Sequence, residues 1–454
     1  MLQYPTAWST MMATTQTISP RTRRSLSADA LFALLRKRFE SVQDQRAEIQ
    51  LTYPLVDVLM SALAMFVFKD PSLLAFVDRQ DDPSLQNIFK IEKIPSDSQM
   101  RDILDPIDVE PLNEAFADIF AELQRGGVLK SFRFFDGGYL VAIDGTGYFS
   151  SSNIRCPDCL VKKSKDGKTR YAHQAVAAVL IHPKRREVIP LAIEPIVKQD
   201  GETKNDCERN ATRRLLQRIK KQHPKLKLTV TEDGLSSNAP HIADLQEHGY
   251  HYILGAKPGD HAHLFDQVID AGDDSRLHCV RTPKLDKKGS YQETQWATQL
   301  PLNKSNPDLR VGYVGQSEMT AEGNIKSMFS WVTDHQVTSE TVLQIAAGGR
   351  CRWRIENETF NTLKNQGYNF EHNYGHGKQN LSTVLVILMM LAFLIDQVQQ
   401  ACCPLFQAVL AKLKSRRSLW FRLRSAIESF AFRSYGEVLD AILTDRCRYR
   451  SLPP

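Results

Sequence analysis

"LVAIDGTGYFS", residues 140–150, decides how this chain is read. Leu140, Val141 and Ile143 predict one buried strand, yet Asp144 closes it, and a glycine, a hydroxyl and an aromatic residue follow. A carboxylate at the end of an apolar strand is costly to bury unless it is ion-paired, hydrogen-bonded or bound to a metal. The same local chemistry recurs in "TVTEDGLSSN", residues 229–238, where Asp233 ends an apolar run and glycine and hydroxyls come next. Ligand sites of open sheets gather at strand termini, so two such ends side by side bring two carboxylates close together. Like charges that near repel unless a divalent cation neutralises them. Hard oxygen donors select Mg²⁺ or Mn²⁺, and a pair of such ions activates a nucleophile and stabilises the leaving oxygen in phosphodiester chemistry.

A third carboxylate is offered by "RWRIENETFNTLK", residues 352–364. At about 100° per residue, Glu356 shares an arc with Trp353, Phe360 and Leu363, the face predicted to pack on the sheet, whereas Glu358 is predicted to face solvent. Glu232, Asp200, Asp206, Glu208 and Asp334 are reserve candidates. Acids in such places also cap helices and form turns, so the residues alone leave a structural role open for either aspartate.

Around these stretches the periodicity divides the chain. Residues 1–25, rich in Ser and Thr, read as a disordered leader, and residues 26–130 read as an α-helical, DNA-binding region whose first helix carries "RKR". A sheet-and-helix core is predicted over 135–261: three strands joined by short links, then strand-helix-strand units. Residues 262–326 are polar and broken and predict a β-rich insertion. The core resumes over 327–377, with a strand at "SMFSWVT" and a long helix interrupted at Gly348-Gly349; residues 378–454 are helical and basic. The apolar run at 384–395 is shorter than the ~20 residues a helix needs to cross a bilayer and predicts a buried helix.

The totals agree with a large globular protein. The 454 residues are 42% hydrophobic, enough for a sizeable core, and 58 basic against 52 acidic residues give a net charge of +6, which mildly favours a polyanionic partner. Eight cysteines without regular spacing, and no cleavable leader, predict a reducing cytoplasm rather than a disulfide scaffold.

With those residues in view, "AIDGT", "TEDGLSSN" and especially "RWRIENETFNTLKNQGYNFEHNYGHG" resemble the DDE transposases of bacterial insertion sequences, in the branch whose third acid sits in a Tyr-Arg-Glu-Lys signature. The resemblance covers roughly residues 139–380. It implies an α/β, ribonuclease H-like mixed-sheet core with a β-rich insertion and helical flanks, and a triad of Asp144, Asp233 and Glu356 on two Mg²⁺ ions, Mn²⁺ substituting. Asp144 would bridge both ions and the other two acids would hold one each. The implied reaction cuts an element's end and joins the freed 3′-OH to target DNA, with a homodimer holding the two ends in the nucleoid of a bacterial cytoplasm. The signature is partial: Arg352 stands four residues before Glu356, but Gly349 fills the tyrosine position and Leu363 the lysine position, with Lys364 one place late. Arg352 and Lys364 are the implied DNA contacts. A ribonuclease H-like nuclease that cuts without joining, and a non-catalytic DNA-binding descendant of a transposase, are the alternatives.

Two smaller features stand apart. Cys156 and Cys159 form a CxxC knuckle which, with His173 and Cys207 downstream, offers four donors for a structural Zn²⁺; thiols in a reduced cytoplasm are the competing reading. The "EHNYGHG" stretch reads as a tight turn, and Trp331 and Trp353 as core residues.

Overall fold

Ten strands form one mixed sheet in the computed structural model: β1 (Tyr139–Ser151), β2 (Leu160–Lys163), β3 (Thr169–Ile181), β4 (Ile189–Ile196), β5 (Leu228–Glu232), β6 (His251–Gly255), β7 (His278–Pro283), β8 (Tyr291–Asn303), β9 (Asn306–Met319) and β10 (Ile325–Thr333). Their order is β2-β3-β1-β5-β6-β10-β9-β8-β7, with β4 also paired to β3. Residues 24–46, 52–157, 159–163, 166–201, 204–284 and 289–446 are described, so most of the expected leader lies outside them, as does the side chain of Asp206.

β1 does not stop at Asp144. Antiparallel pairing with β3 carries it on to Ser151, with Asp144 opposite Ala177. On its other side β1 runs parallel to β5, but only as far as Ala142 opposite Thr231. Asp144 therefore lies where the strand keeps one neighbour and loses the other, a position that anchors the backbone while opening one edge. Continuing the parallel register by two residues sets Asp144 beside Asp233, at the carboxyl end of both strands.

Among the described residues, six α-helices precede the sheet: α1 (Ala28–Phe39), α2 (Leu55–Phe68), α3 (Leu73–Val77), α4 (Pro83–Phe89), α5 (Asp97–Leu104) and α6 (Glu110–Arg125). Within the sheet region come α7 (Lys204–Gln222), α8 (Ala239–Glu247), α9 (Ala262–Asp273), α10 (Val342–Cys351) and α11 (Asn361–Asn365), followed by α12 (Leu381–Cys402), α13 (Pro404–Leu413), α14 (Arg416–Ser429) and α15 (Tyr435–Thr444). This mixed sheet with helices packed on it and helical flanks is the ribonuclease H-like arrangement that the resemblance implies.

Helix α12 is long and apolar enough to cross a membrane, yet 94% of its most apolar window is buried inside the protein. It packs against α2, itself buried on nearly every side, and against β4. Each fully enclosed Leu, Ile or Phe along such a seam contributes roughly 1.5–3 kcal/mol by leaving water. The two helical flanks are thereby joined through a shared core.

Two predicted elements differ. The polar segment from residue 262 begins not with strand but with α9, whose Leu264, Val268 and Ala271 recur at helical spacing and are buried. The long helix after β10 is not interrupted at its glycines. α10 runs through both because a Cβ on Gly348 would lie 2.7 Å from the Phe134 ring and one on Gly349 only 2.3 Å from the Trp331 indole. The glycines serve close packing of helix on sheet. The irregularity comes later, in a π-helical turn over Ile355–Phe360 that holds Glu356.

Candidate active site

Asp144 reaches the site from the middle of β1. Its Oδ1 accepts the Gly145 N–H at 2.8 Å, and its Oδ2 accepts from Arg352 Nη1 at 3.0 Å. The other Arg352 nitrogen, Nη2, donates to Glu356 Oε1 at 2.6 Å. One guanidinium thus spans two carboxylates, one delivered by the sheet from 208 residues earlier in the chain and one by the helix from four residues later. Asp233 lines the same cleft as Asp144. Its carboxylate accepts the Leu235 N–H at 3.0 Å and starts a short 3-10 turn, so the turn-forming role that chemistry allowed is real and fixes where the side chain stands.

Burial pushes the Asp144 carboxyl up to about 6; Arg352 opposes this, and Glu356 and Asp233 add to it by like-charge repulsion. Burial alone would raise any carboxyl, but the added repulsion identifies a cluster with surplus negative charge. Glu208 lines the cleft from α7, so close that a Cβ on Gly145 would lie 3.0 Å from its Oε1. Glycine at 145 leaves that carboxylate room beside Asp144. Helix α7 is held against the sheet by Arg214, bonded to Glu194 at 2.7 Å and to Asp200, and by Arg218, bonded to Glu194 at 2.9 Å and Glu110 at 2.6 Å.

The reserve acids sort by their partners. Glu232 is ion-paired with buried His241; burial pulls that imidazole's pKa down, but the charge and hydrogen bond of the Glu232 carboxylate outweigh it, so the pKa of His241 is raised. Asp200 is taken by Arg214, and Asp334 by His251 at 2.9 Å. Glu208 and Glu232 both line the cleft with Asp144 and Asp233, Glu232 from the end of β5 and Glu208 from α7, where helical spacing gave no signal that would have singled it out.

The helical arc around Glu356 is corrected. Glu356 reaches Asp144 through Arg352, but it is half exposed, Trp353 is 41% exposed, and it is Glu358 that is buried, 3.7 Å from Arg186. The π turn over Ile355–Phe360 widens the helix locally, so Glu356 and Glu358 depart from ideal spacing, while Phe360 and Leu363 are buried as the arc predicts. Trp331 is buried as predicted, and its indole fills the space that a side chain at 349 would need, which accounts for glycine where the signature has tyrosine. Lys364 is not beside the acids. It pairs with Glu371 at 2.9 Å and lines a separate groove with Arg79, Arg417 and Arg424.

The sulfur residues are also rearranged. Cys156, Cys159 and His173 come together, but Cys207 does not join them: it sits on α7, its thiol donating to the Gly201 carbonyl at 3.0 Å. The fourth member is His376, from the "EHNYGHG" stretch read as a turn. Burial, with His376 and Lys198 nearby, pushes His173 down to about 4, so its ring is neutral at physiological pH.

In the comparison with known proteins, a family model described as the transposase DDE domain matches residues 151–394, more than half of the chain. The matched region holds Asp233, Arg352 and Glu356 and begins just beyond Asp144. No curated protein matches the chain.

Proposed function

This chain belongs to the transposase DDE-domain family, and from that premise we propose that it cuts the ends of an insertion-sequence element and joins each freed 3′-OH to target DNA, with Asp144, Asp233 and Glu356 as its acid triad. The observation that carries the reading is the single guanidinium of Arg352 bonded to both Asp144 and Glu356, in a cleft that Asp233 shares with Asp144. An all-oxygen donor set with surplus negative charge fits hard divalent ions, so these three acids would hold Mg²⁺, Mn²⁺ substituting. When bound, such ions supply activation of the attacking oxygen and stabilisation of the leaving one.

The chain's own residues prepare that chemistry. The β1–β3 pairing fixes Asp144, and the turn at Leu235 fixes Asp233, so two carboxylates are positioned before any DNA arrives. Arg352 balances Asp144 and Glu356 in the resting protein; with divalent ions held by these acids, its planar guanidinium would be free to contact a phosphate in bidentate fashion. Trp353, exposed on the turn before Glu356, offers a flat face to an unpaired base. Lys364, Arg417 and Arg424 form a groove suited to the phosphate backbone, with affinity that falls as salt rises. Two element ends must be held together, which calls for a homodimer.

The test is cleavage and strand transfer of a labelled DNA end taken from the element's flanking repeats, with Mg²⁺ or Mn²⁺, comparing wild type with Asp144→Ala, Asp233→Ala and Glu356→Ala. Wild type is expected to cut and join, and all three variants to bind DNA and do neither. Cleavage retained in the variants would mean the acids are misassigned. Cutting without joining by wild type would make the protein a nuclease, and binding alone would make it a DNA-binding protein.

A further inference from the structure

The sulfur and imidazole groups near the end of β1 form a second, chemically different centre. Cys159 immediately precedes β2, and the β2–β3 pairing sets Leu160 opposite Ala172, so the hairpin register brings Cys159 to the level of His173. The CxxC turn then folds Cys156 back, with the Cys159 N–H donating to the Cys156 carbonyl at 3.3 Å. The fourth group arrives from far along the chain, in the loop that follows the helix of Glu356. His376 is held there edge-on against Phe149 of β1, ring centroids 3.9 Å apart.

The distances decide what the four can hold. Cys156 Sγ lies 3.4 Å from Cys159 Sγ and 3.2 Å from His173 Nε2; Cys159 Sγ lies 3.4 Å from His173 Nε2 and 3.8 Å from His376 Nδ1. All four donor atoms fall within 4.8 Å of one another. A tetrahedron with Zn–S near 2.3 Å and Zn–N near 2.0 Å has edges of roughly 3.3–3.8 Å, the range seen here. The two sulfurs are too far apart for a disulfide, whose bond is about 2.05 Å. In addition, the Cys156 backbone N–H points at Cys159 Sγ at 3.2 Å, a donor that steadies a thiolate and orients it as a ligand.

We infer that Cys156, Cys159, His173 and His376 bind one structural Zn²⁺, which ties the loop after the Glu356 helix to the β1–β3 pair that carries Asp144. Four protein donors close the coordination sphere, so the ion has no open position for substrate and acts as a clamp. Two thiolates cancel its charge, which suits a site walled by Phe149, Tyr148 and buried Cys159. Soft sulfur and imidazole donors also separate this centre from the oxygen cluster at Asp144, so each selects a different metal.

The experiment is metal analysis of the full chain, purified under reducing conditions without chelator and reconstituted with Zn²⁺. One zinc per chain is expected in wild type and in Cys207→Ser, and loss of bound zinc in Cys159→Ser and His376→Ala. Exchange of wild type with Co²⁺ gives a readout that does not depend on any variant folding: intense tetrahedral visible bands with thiolate charge transfer. Absence of stoichiometric zinc after reconstitution, weak octahedral cobalt bands, or full zinc retention in His376→Ala would each overturn the assignment. None of these readouts involves DNA cleavage, so the outcome stands apart from that of the triad test.

Discussion

Half-buried Asp144 and fully buried Asp396 are both aspartates held by a cation, yet the fold treats them oppositely. Asp396, on α12, is ion-paired with Lys69, hydrogen-bonded by Tyr368 and closed in on every side; Lys69 also donates to the Val67 carbonyl at 2.8 Å and lies 4.0 Å over the Trp420 ring. Burial pushes the Asp396 carboxyl up and the Lys69 ammonium down, each opposed by the other. One acid there meets one base, and no further ligand is called for. Around Asp144, one arginine serves two acids and a third shares the cleft, beside open space. A balanced, closed pair belongs to the frame; a cluster with surplus charge and an open edge is built to receive a counter-ion.

Asp144→Asn tests the open side of that contrast and carries the largest expected effect. Strand cleavage and joining should fall by a factor on the order of 10³ or more, since removal of one member of a cooperating group disables the whole. The melting temperature should stay within a few degrees of wild type, because an amide relieves the repulsion from Glu356 and Asp233 while Arg352 keeps Glu356. A large drop in stability would make Asp144 a frame residue like Asp396.

Asp396→Ala should do the reverse. It leaves the Lys69 ammonium charged and enclosed, at a cost of about 3–5 kcal/mol in chemical denaturation, while the folded fraction keeps its activity. Replacing both partners by apolar residues, Lys69→Met with Asp396→Leu, should recover much of the loss, because no uncompensated charge remains. If the double variant is as unstable as the single one, the pair contributes something beyond charge balance.

Arg352→Gln sharpens the comparison from the cation's side. Without the guanidinium, Asp144 and Glu356 repel each other, so the metal-free protein should lose about 1–2 kcal/mol. Added Mg²⁺ should then raise the variant's melting temperature by more than it raises that of wild type. Equal responses would mean that Arg352 and the ion do not compete for the same carboxylates.

How much of this was legible in the sequence depended on whether the signal was local. The buried part of β1 was plain in "LVAID", but its run past Asp144 depends on β3, thirty residues later, which no local pattern announces. The pairing of the two Asp-Gly strand ends was recoverable because each repeats the same short chemistry. Ideal helical spacing gave Glu356 a buried face and Glu358 a solvated one; within the π turn Glu358 is buried and Glu356 is half exposed, and no local pattern announces that turn. The thiol cluster divides in the same way. Cys156, Cys159 and His173 lie on one hairpin and could be grouped by proximity, whereas His376 comes from more than two hundred residues away, and only the fold shows that it replaces Cys207.

His223 supplies a third state of a buried titratable group, one with no opposite charge at all. It follows α7 and packs against Phe120, ring centroids 4.6 Å apart, and its Nε2 has no hydrogen-bond partner among the described residues. Burial pushes its pKa down from 6.5 to about 4. The unfolded chain therefore takes up a proton near pH 6.5 that the folded protein refuses until about pH 4, so the unfolded state binds more protons throughout that window. Stability from this group is complete above pH 6.5 and is lost as the pH falls toward 4. His223→Phe removes the titration while keeping the ring contact, so it should flatten the pH profile, with a gain over wild type of about 2 kcal/mol near pH 5 relative to neutral pH. Denaturant unfolding of both proteins at neutral pH and near pH 5 measures this directly. Parallel profiles would show that His223 binds protons alike in the folded and unfolded states, and would overturn the reading that burial holds it neutral.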